Sequence, residues 1–305
     1  MPHYLFMYGI CIILTNYYAY FAYKIKYFKI LIMKLELQKF DITRIKNDNV
    51  VVLIGKRNTG KSFLVKDLLY YHTDVPIGTV ISGTESANRF YGDFVPSAFI
   101  HDEVSGELIE NVITRQKLVI KKLNKENKTY GSSRIDPKAF LILDDCLYDS
   151  SWAKDKNIRA IFMNGRHLKI FFIITMQYPL GIPPNLRTNI DYVFILRENI
   201  VGNRKRIYDN YAGMFPSFEV FCQVMDQCTE NYECLVIDNT SNSNRLEDCV
   251  YWYKGDKHGH YQLGSSQFWV NNSLDDEEDD DDEDYNPEQF KMKKNSTRIN
   301  VRKNN

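Results

Sequence analysis

Residues 50–62 read Val50-Val51-Val52-Leu53-Ile54-Gly55-Lys56-Arg57-Asn58-Thr59-Gly60-Lys61-Ser62. The apolar, largely β-branched start predicts a buried strand, and Phe63-Leu64-Val65-Lys66-Asp67-Leu68-Leu69 predicts an amphipathic helix after it. Between them lies G-x-x-x-x-G-K-S, in the strand–turn–helix setting that makes this pattern a P-loop. Gly55 and Gly60 let the backbone curl, so that the N–H groups of Lys56, Arg57, Asn58 and Thr59 face a phosphate chain. The helix beginning near Lys61 adds the positive end of its dipole. Lys61 is placed to reach the β- and γ-phosphates, and the Ser62 hydroxyl to ligate Mg²⁺. The stretch predicts a nucleoside triphosphate site.

Outward from this unit, apolar runs alternate with helical periods. Residues 77–82 and 98–101 read as strands. Leu108, Ile109, Val112, Ile113, Leu118, Val119 and Leu123 repeat at helical spacing across 105–124, and the polar segment 125–137 reads as a surface loop. Ala139-Phe140-Leu141-Ile142-Leu143-Asp144-Asp145 is a buried strand ending in two carboxylates. A helix is expected over 155–164, buried strands over 170–175 and 192–196, a helix over 217–230, and edge strands over 233–238 and 249–254. This alternation indicates an α/β fold with a mainly parallel central sheet covered by helices on both faces. Open α/β sheets bind ligands at the C-terminal edge of their strands. Asp144 is therefore assigned to the Mg²⁺ shell, and Asp145 to orienting or deprotonating the attacking water. Gln177 ends the next strand, where a neutral amide would contact the γ-phosphate or that water. The plain alternatives are an Asp-Asp turn and a polar strand terminus.

The formal net charge of zero hides a segregation. Residues 275–284 are ten consecutive acids, leaving 39 basic against 29 acidic residues elsewhere. A basic body suits a polyanionic partner, while an acidic run is also the composition of a solvated, disordered tail. The six cysteines form no C-x-x-C pair and read as core or free thiols of a reducing compartment. Residues 5–23 contain no charged side chain and are followed by Lys24, Lys26 and Lys29, a length that suits membrane contact. Thr15, Asn16 and the tyrosines among them make a poor hydrocarbon solute. Residues 1–32 are thus either a membrane-associated segment or an extension upstream of a start at Met33. The expected organisation is this extension, a P-loop ATPase domain over 33–254, and a disordered acidic then basic tail over 255–305.

Taken together, Gly55 to Ser62, Leu141-Ile142-Leu143-Asp144-Asp145, Asn164-Gly165-Arg166-His167 and Ile173-Ile174-Thr175-Met176-Gln177 resemble the FtsK–HerA superfamily of DNA-pumping ATPases. Within it, the likeness is to the genome-packaging ATPases of poxviruses and other large nucleocytoplasmic DNA viruses, and Pro183-Pro184-Asn185-Leu186-Arg187-Thr188-Asn189-Ile190-Asp191-Tyr192 supports this. The resemblance covers residues 50–254. It implies a RecA-like core, ATP with Mg²⁺, a homo-oligomeric ring, and translocation of double-stranded DNA into a capsid. Capsid or portal proteins are the implied partners, and the virion and cytoplasmic viral factory the implied location. By position, Lys61 and Ser62 match the family's P-loop, Asp144 its metal carboxylate and Gln177 its sensor glutamine. Asp145 stands where many relatives have glutamate, one methylene longer. Arg187 resembles a finger acting on the neighbouring subunit's ATP, with Arg166 as the competing candidate; either would otherwise be an ion-pair partner. Lys121, Lys122, Lys125, Lys128 and Arg134, and separately Arg204, Lys205 and Arg206, are the expected DNA-contacting clusters. Two other readings remain: a helicase or DNA-processing ATPase built on the same core, and a structural virion protein that binds nucleotide without useful turnover.

Overall fold

In a computed structural model of the chain, residues 35–146, 152, 154–179 and 181–270 are described; the expectations for the N-terminal extension and the acidic run lie outside them. The elements in order are β1 (Val50–Ile54), α1 (Lys61–Tyr70), β2 (Gly78–Ser82), α2 (Glu85–Asn88), β3 (Ile100–His101), α3 (Gly106–Tyr130), β4 (Ala139–Asp144) and α4 (Lys156–Asn164). There follow β5 (Ile170–Met176), α5 (Pro184–Arg187), β6 (Tyr192–Ile195), α6 (Val201–Tyr211), α7 (Phe218–Cys228), β7 (Glu233–Asp238) and β8 (Val250–Lys254). They lie in the first of two compact units, Met1–Gly264, the second being Ser265–Asn305.

One eight-stranded sheet has the order β3-β2-β4-β5-β1-β6-β7-β8. Pairing is parallel from β3 through β6, and β7 and β8 are added antiparallel. Every residue of β1, β2, β4 and β5 is buried, so both faces are covered by packed chain. That explains the uninterrupted apolar runs, since a strand with one wet face would alternate. Gly78 is needed where β2 meets β4, because a Cβ there would fall 2.1 Å from the Phe140 ring. The arrangement is a RecA-like P-loop NTPase core.

Besides the one-turn helices α2 and α5, which the sequence does not announce, two longer helices differ from the sequence expectation. α3 continues through 125–130, where a loop is predicted, and stops at Gly131, whose φ of 77° closes it with an N–H bond to Asn127. Lys, Glu and Asn sustain a helix without an apolar stripe, and the glycine is the stop. α6 is not predicted at all: it buries only Ile207 and Tyr211, too few to set a visible period. Beyond β8, residues 255–263 also pack on this unit, through His258 on Asp67, the Tyr261 hydroxyl on the Lys66 carbonyl, and Leu263 N–H on the Phe94 carbonyl. The five described cysteines are free thiols. Among the described residues, no helix is long and apolar enough to cross a membrane.

His72, just after α1, is buried against Phe171, and its Nδ1 meets the Asn47 side chain while Nε2 has no partner among the described residues. Burial keeps the imidazole neutral and lowers its pKa from 6.5 to about 4. Between those values the unfolded chain binds a proton that the fold does not, so stability falls as pH drops through that window. His72→Phe is expected to remove about 2 kcal/mol of the stability difference between pH 7.5 and 5. Urea midpoints at the two pH values measure it; equal pH slopes in both proteins would contradict it.

Candidate active site

The P-loop is held tightly before any ligand is considered. A Cβ on Gly55 would stand 2.7 Å from Thr59 Oγ1 and 2.8 Å from Leu196 Cβ, so only glycine fits between the loop and the end of β6. Asn58 and Gly60 take φ values of 63° and 97°, which turn successive N–H groups inward. The Thr59 hydroxyl donates to the Lys56 carbonyl at 2.8 Å. Lys61, only 6% exposed, donates to the carbonyls of Gly55 at 3.0 Å and Lys56 at 3.2 Å. Its Nζ also lies 3.3 Å from Asp145 Oδ2.

Parallel register brings the two carboxylates to the same edge. Leu143 on β4 is level with Ile174 on β5, and Leu53 on β1 is level with Thr175. Thr175 Oγ1 donates to Asp144 Oδ1 at 2.6 Å and accepts from the Asp145 N–H at 2.9 Å, so one hydroxyl fixes both aspartates. Burial raises the Asp144 carboxyl above its ordinary range and the charge of Asp145 pushes the same way, while Thr175 opposes them. Asp145 has left the strand with φ 49°, a conformation that aspartate tolerates better than most residues. Its Oδ2 receives Lys61 and also the Gln177 amide, at 3.1 Å. Lys61, Asp144, Asp145 and Gln177 are therefore one connected network. Ser62 sits on the first turn of α1, and its hydroxyl is engaged by no described residue.

A further participant, Glu198, escapes sequence reading. Glu198, just past β6, is buried and accepts from Lys56 Nζ at 2.7 Å, Ile200 N–H at 2.8 Å and Asn203 Nδ2 at 3.0 Å. Burial alone would raise its carboxyl, but these donors and the Lys56 charge bring it below the usual range. The P-loop is thereby tied to the first turn of α6. In sequence Glu198 is one charge in a polar stretch, and only the fold supplies its partners.

The two arginines are placed elsewhere. Arg166 precedes β5 and Arg187 precedes β6, so both lie at the N-terminal edge of the parallel strands, opposite the P-loop. Arg166 Nη2 pairs with Asp191 Oδ1 at 2.8 Å, and Asp191 Oδ2 accepts from the Val50 N–H that opens β1. Arg187 bonds Asn210 on the last turn of α6 and lies 5.6 Å from the Tyr211 ring centre. Neither belongs to its own chain's network.

Thr175→Val keeps the side-chain shape but strands Asp144 and the Asp145 N–H. It should lower unfolding free energy by about 1–3 kcal/mol, with Thr175→Ser recovering most of the loss. An unchanged urea midpoint in Thr175→Val would show that the hydroxyl does not hold the aspartates.

The family described as Poxvirus A32 protein matches residues 37–257, from before β1 to beyond β8. The uncharacterized protein L437 of Acanthamoeba polyphaga mimivirus is 41% identical over 236 residues, covering 77% of this chain and 82% of that one. The uncharacterized protein 075L of Invertebrate iridescent virus 6 is 43% identical over 207 residues, or 66% and 76% of the two chains. Among solved structures, the genome packaging NTPase B204 from Sulfolobus turreted icosahedral virus 2, in complex with AMP, is similar with a TM-score of 0.45 and 17% identity, covering 70% of this chain and all of that one. With a P-loop, a carboxylate-bearing strand two places away in the sheet and a family match across the whole sheet, the chain belongs to the poxvirus A32 protein family, within the FtsK–HerA superfamily of P-loop ATPases.

Proposed function

We propose that the protein is an ATP-driven translocase of double-stranded DNA that packages a viral genome into its capsid, working as a homo-oligomeric ring. The observation that carries the ATPase half is the convergence of Lys61, Asp144, Asp145 and Gln177 at one sheet edge. Loop N–H groups and Lys61 bind the phosphates. No group of three or more His, Cys, Asp or Glu side chains gathers among the described residues to hold a metal. A Mg²⁺ ion would instead draw on Ser62 and Asp144, with phosphate and water completing its shell, and would neutralise charge on the phosphates. The Ser62 hydroxyl has no partner among the described residues and Asp144 has a second carboxylate oxygen, so the donor set fits a hard cation. Asp145 takes the proton of the attacking water, and Gln177, bonded to the same oxygen, orients that water.

Subunit contact follows from the arginines. Because Arg187 and Arg166 face away from their own P-loop, each can serve as a finger only on a neighbour, where such a group contributes about 10³–10⁵ in rate. Arg187 suits this role better, since its partner Asn210 is neutral whereas Arg166 is ion-paired with Asp191 at the base of β1.

The DNA surface is argued from α3. Its 25 residues span about 37 Å, whereas strands of five to seven residues span about 17–23 Å. Burial along it ends at Gln116, and Lys121, Lys122, Lys125 and Lys128 are exposed on the overhanging half with no ion pair among the described residues. The other basic cluster is largely spent internally, Arg204 on Asp226 at 2.6 Å and Lys205 on Asp209 at 2.8 Å. Phosphate contact is therefore assigned to α3. The motif resemblance to packaging ATPases favours encapsidation, with capsid or portal proteins as partners and the virion and cytoplasmic viral factory as the site of action.

Purified full-length protein should hydrolyse ATP faster with DNA, and Lys61→Ala or Asp144→Ala should each reduce turnover at least about a hundredfold. Absence of turnover in the wild type under every DNA condition would overturn the motor and favour a structural nucleotide-binding protein. Mixing Lys61→Ala with Arg187→Ala subunits should regain activity that neither has alone, because some interfaces then combine an intact P-loop with an intact finger; a mixture as inactive as its components counts against Arg187. Changing Lys121, Lys122, Lys125 and Lys128 to Gln should weaken DNA binding and flatten its salt dependence by about 0.9 per lost phosphate contact, while DNA-independent hydrolysis stays the same. Virions lacking DNA after loss of the protein would support packaging, and stalled replication with normal encapsidation would support the helicase alternative.

A further inference from the structure

The antiparallel strand β7 begins where the parallel strands end. Ile195 of β6 is level with Leu235, so Glu233 and the residue before it reach the edge that bears the P-loop. The turn ahead of β7 sets Tyr232 beside the last loop glycine: a Cβ on Gly60 would meet Tyr232 Cδ1 at 3.4 Å. The tyrosine is 72% exposed, and among the described residues its ring stacks on nothing and its hydroxyl bonds nothing.

Its backbone is nevertheless constrained. Asn231 and Tyr232 take φ values of 52° and 65° in succession. Asparagine visits this left-handed region readily, but for a bulky aromatic it is an outlier of the kind that gathers at functional sites. The turn is closed by an N–H bond from Glu233 to the Glu230 carbonyl at 2.9 Å, and β7 is then paired on both sides. Packing does not explain the strained aromatic, because the ring stays in solvent. What the geometry achieves is an exposed aromatic ring on a constrained backbone beside the last glycine of the loop. A second aromatic, Phe63, is 44% exposed on the first turn of α1.

We propose that Tyr232 is the platform on which the base of the bound nucleoside triphosphate stacks, an inference that rests on the nucleotide reading of the P-loop given above. The phosphates are then read by backbone amides and Lys61, and the base by an aromatic face. Stacking rewards any planar base and is strongest for the larger purine ring.

Calorimetry on the full chain with Mg²⁺ separates base from phosphate recognition by comparing a slowly hydrolysed ATP analogue with inorganic tripolyphosphate. Tyr232→Ala should weaken the ATP analogue about tenfold, within the range of aromatic–base stacking, and leave tripolyphosphate affinity unchanged. Tyr232→Phe should bind both like the wild type. Equal affinity of Tyr232→Ala and wild type for the ATP analogue would overturn the proposal. So would a parallel loss for both ligands, which would mean that the turn supports the P-loop itself. A wild type that binds neither ligand would overturn the nucleotide reading and this inference with it, whereas wild-type binding that Tyr232→Ala leaves intact sinks only the latter.

Discussion

Every functional distance depends on β1 keeping its register between β5 and β6. Val52 is level with Ile174 on one side and Val193 on the other, and no residue of the strand exceeds 4% exposure. A slip of one residue would send each side chain to the opposite face of a sheet buried on both faces, and would offset Gly55 from Leu196 and Leu53 from Thr175. The register is therefore enforced by packing, and the site inherits its precision from the core. Asp144 needs no loop adjustment to meet Thr175, because Leu143 is level with Ile174 and the next residues of β4 and β5 therefore fall side by side.

Adjacent aspartates acquire different surroundings from this geometry. Asp144 is still strand, buried, and met by a neutral hydroxyl. Asp145 has turned out of the strand toward an ammonium and an amide. Two chemically identical groups placed in unlike environments are a common basis for dividing roles in catalysis. The short side chain at 145 is accompanied by a left-handed backbone and lies with its carboxylate 3.3 Å from Lys61.

The sheet was legible in the sequence because strands buried on both faces are written as unbroken apolar runs, and β1, β4 and β5 fall where those runs predict. The P-loop was legible because its chemistry is local. Legibility failed where a residue's role is created by distant partners. Glu198 becomes structural only when the fold supplies Lys56 and Asn203, and Thr175 only when register sets it between two aspartates. α6 failed for a different reason: its contribution to the core is two side chains, and its remaining bonds are polar. Arg166 and Arg187 could be noticed in sequence, but their position on the edge opposite the P-loop follows only from strand direction.

That polar helix has a mechanical consequence. Its first turn is pinned through Asn203 to Glu198, and Glu198 to the P-loop lysine Lys56; its last turn is pinned through Asn210 to Arg187. Eleven helical residues between the pins make a stiff strut about 16 Å long. A strut fixed at both ends transmits displacement with little lost motion, so the phosphate loop on one rim and the arginine on the other are parts of one linkage, and a shift of either end strains the other.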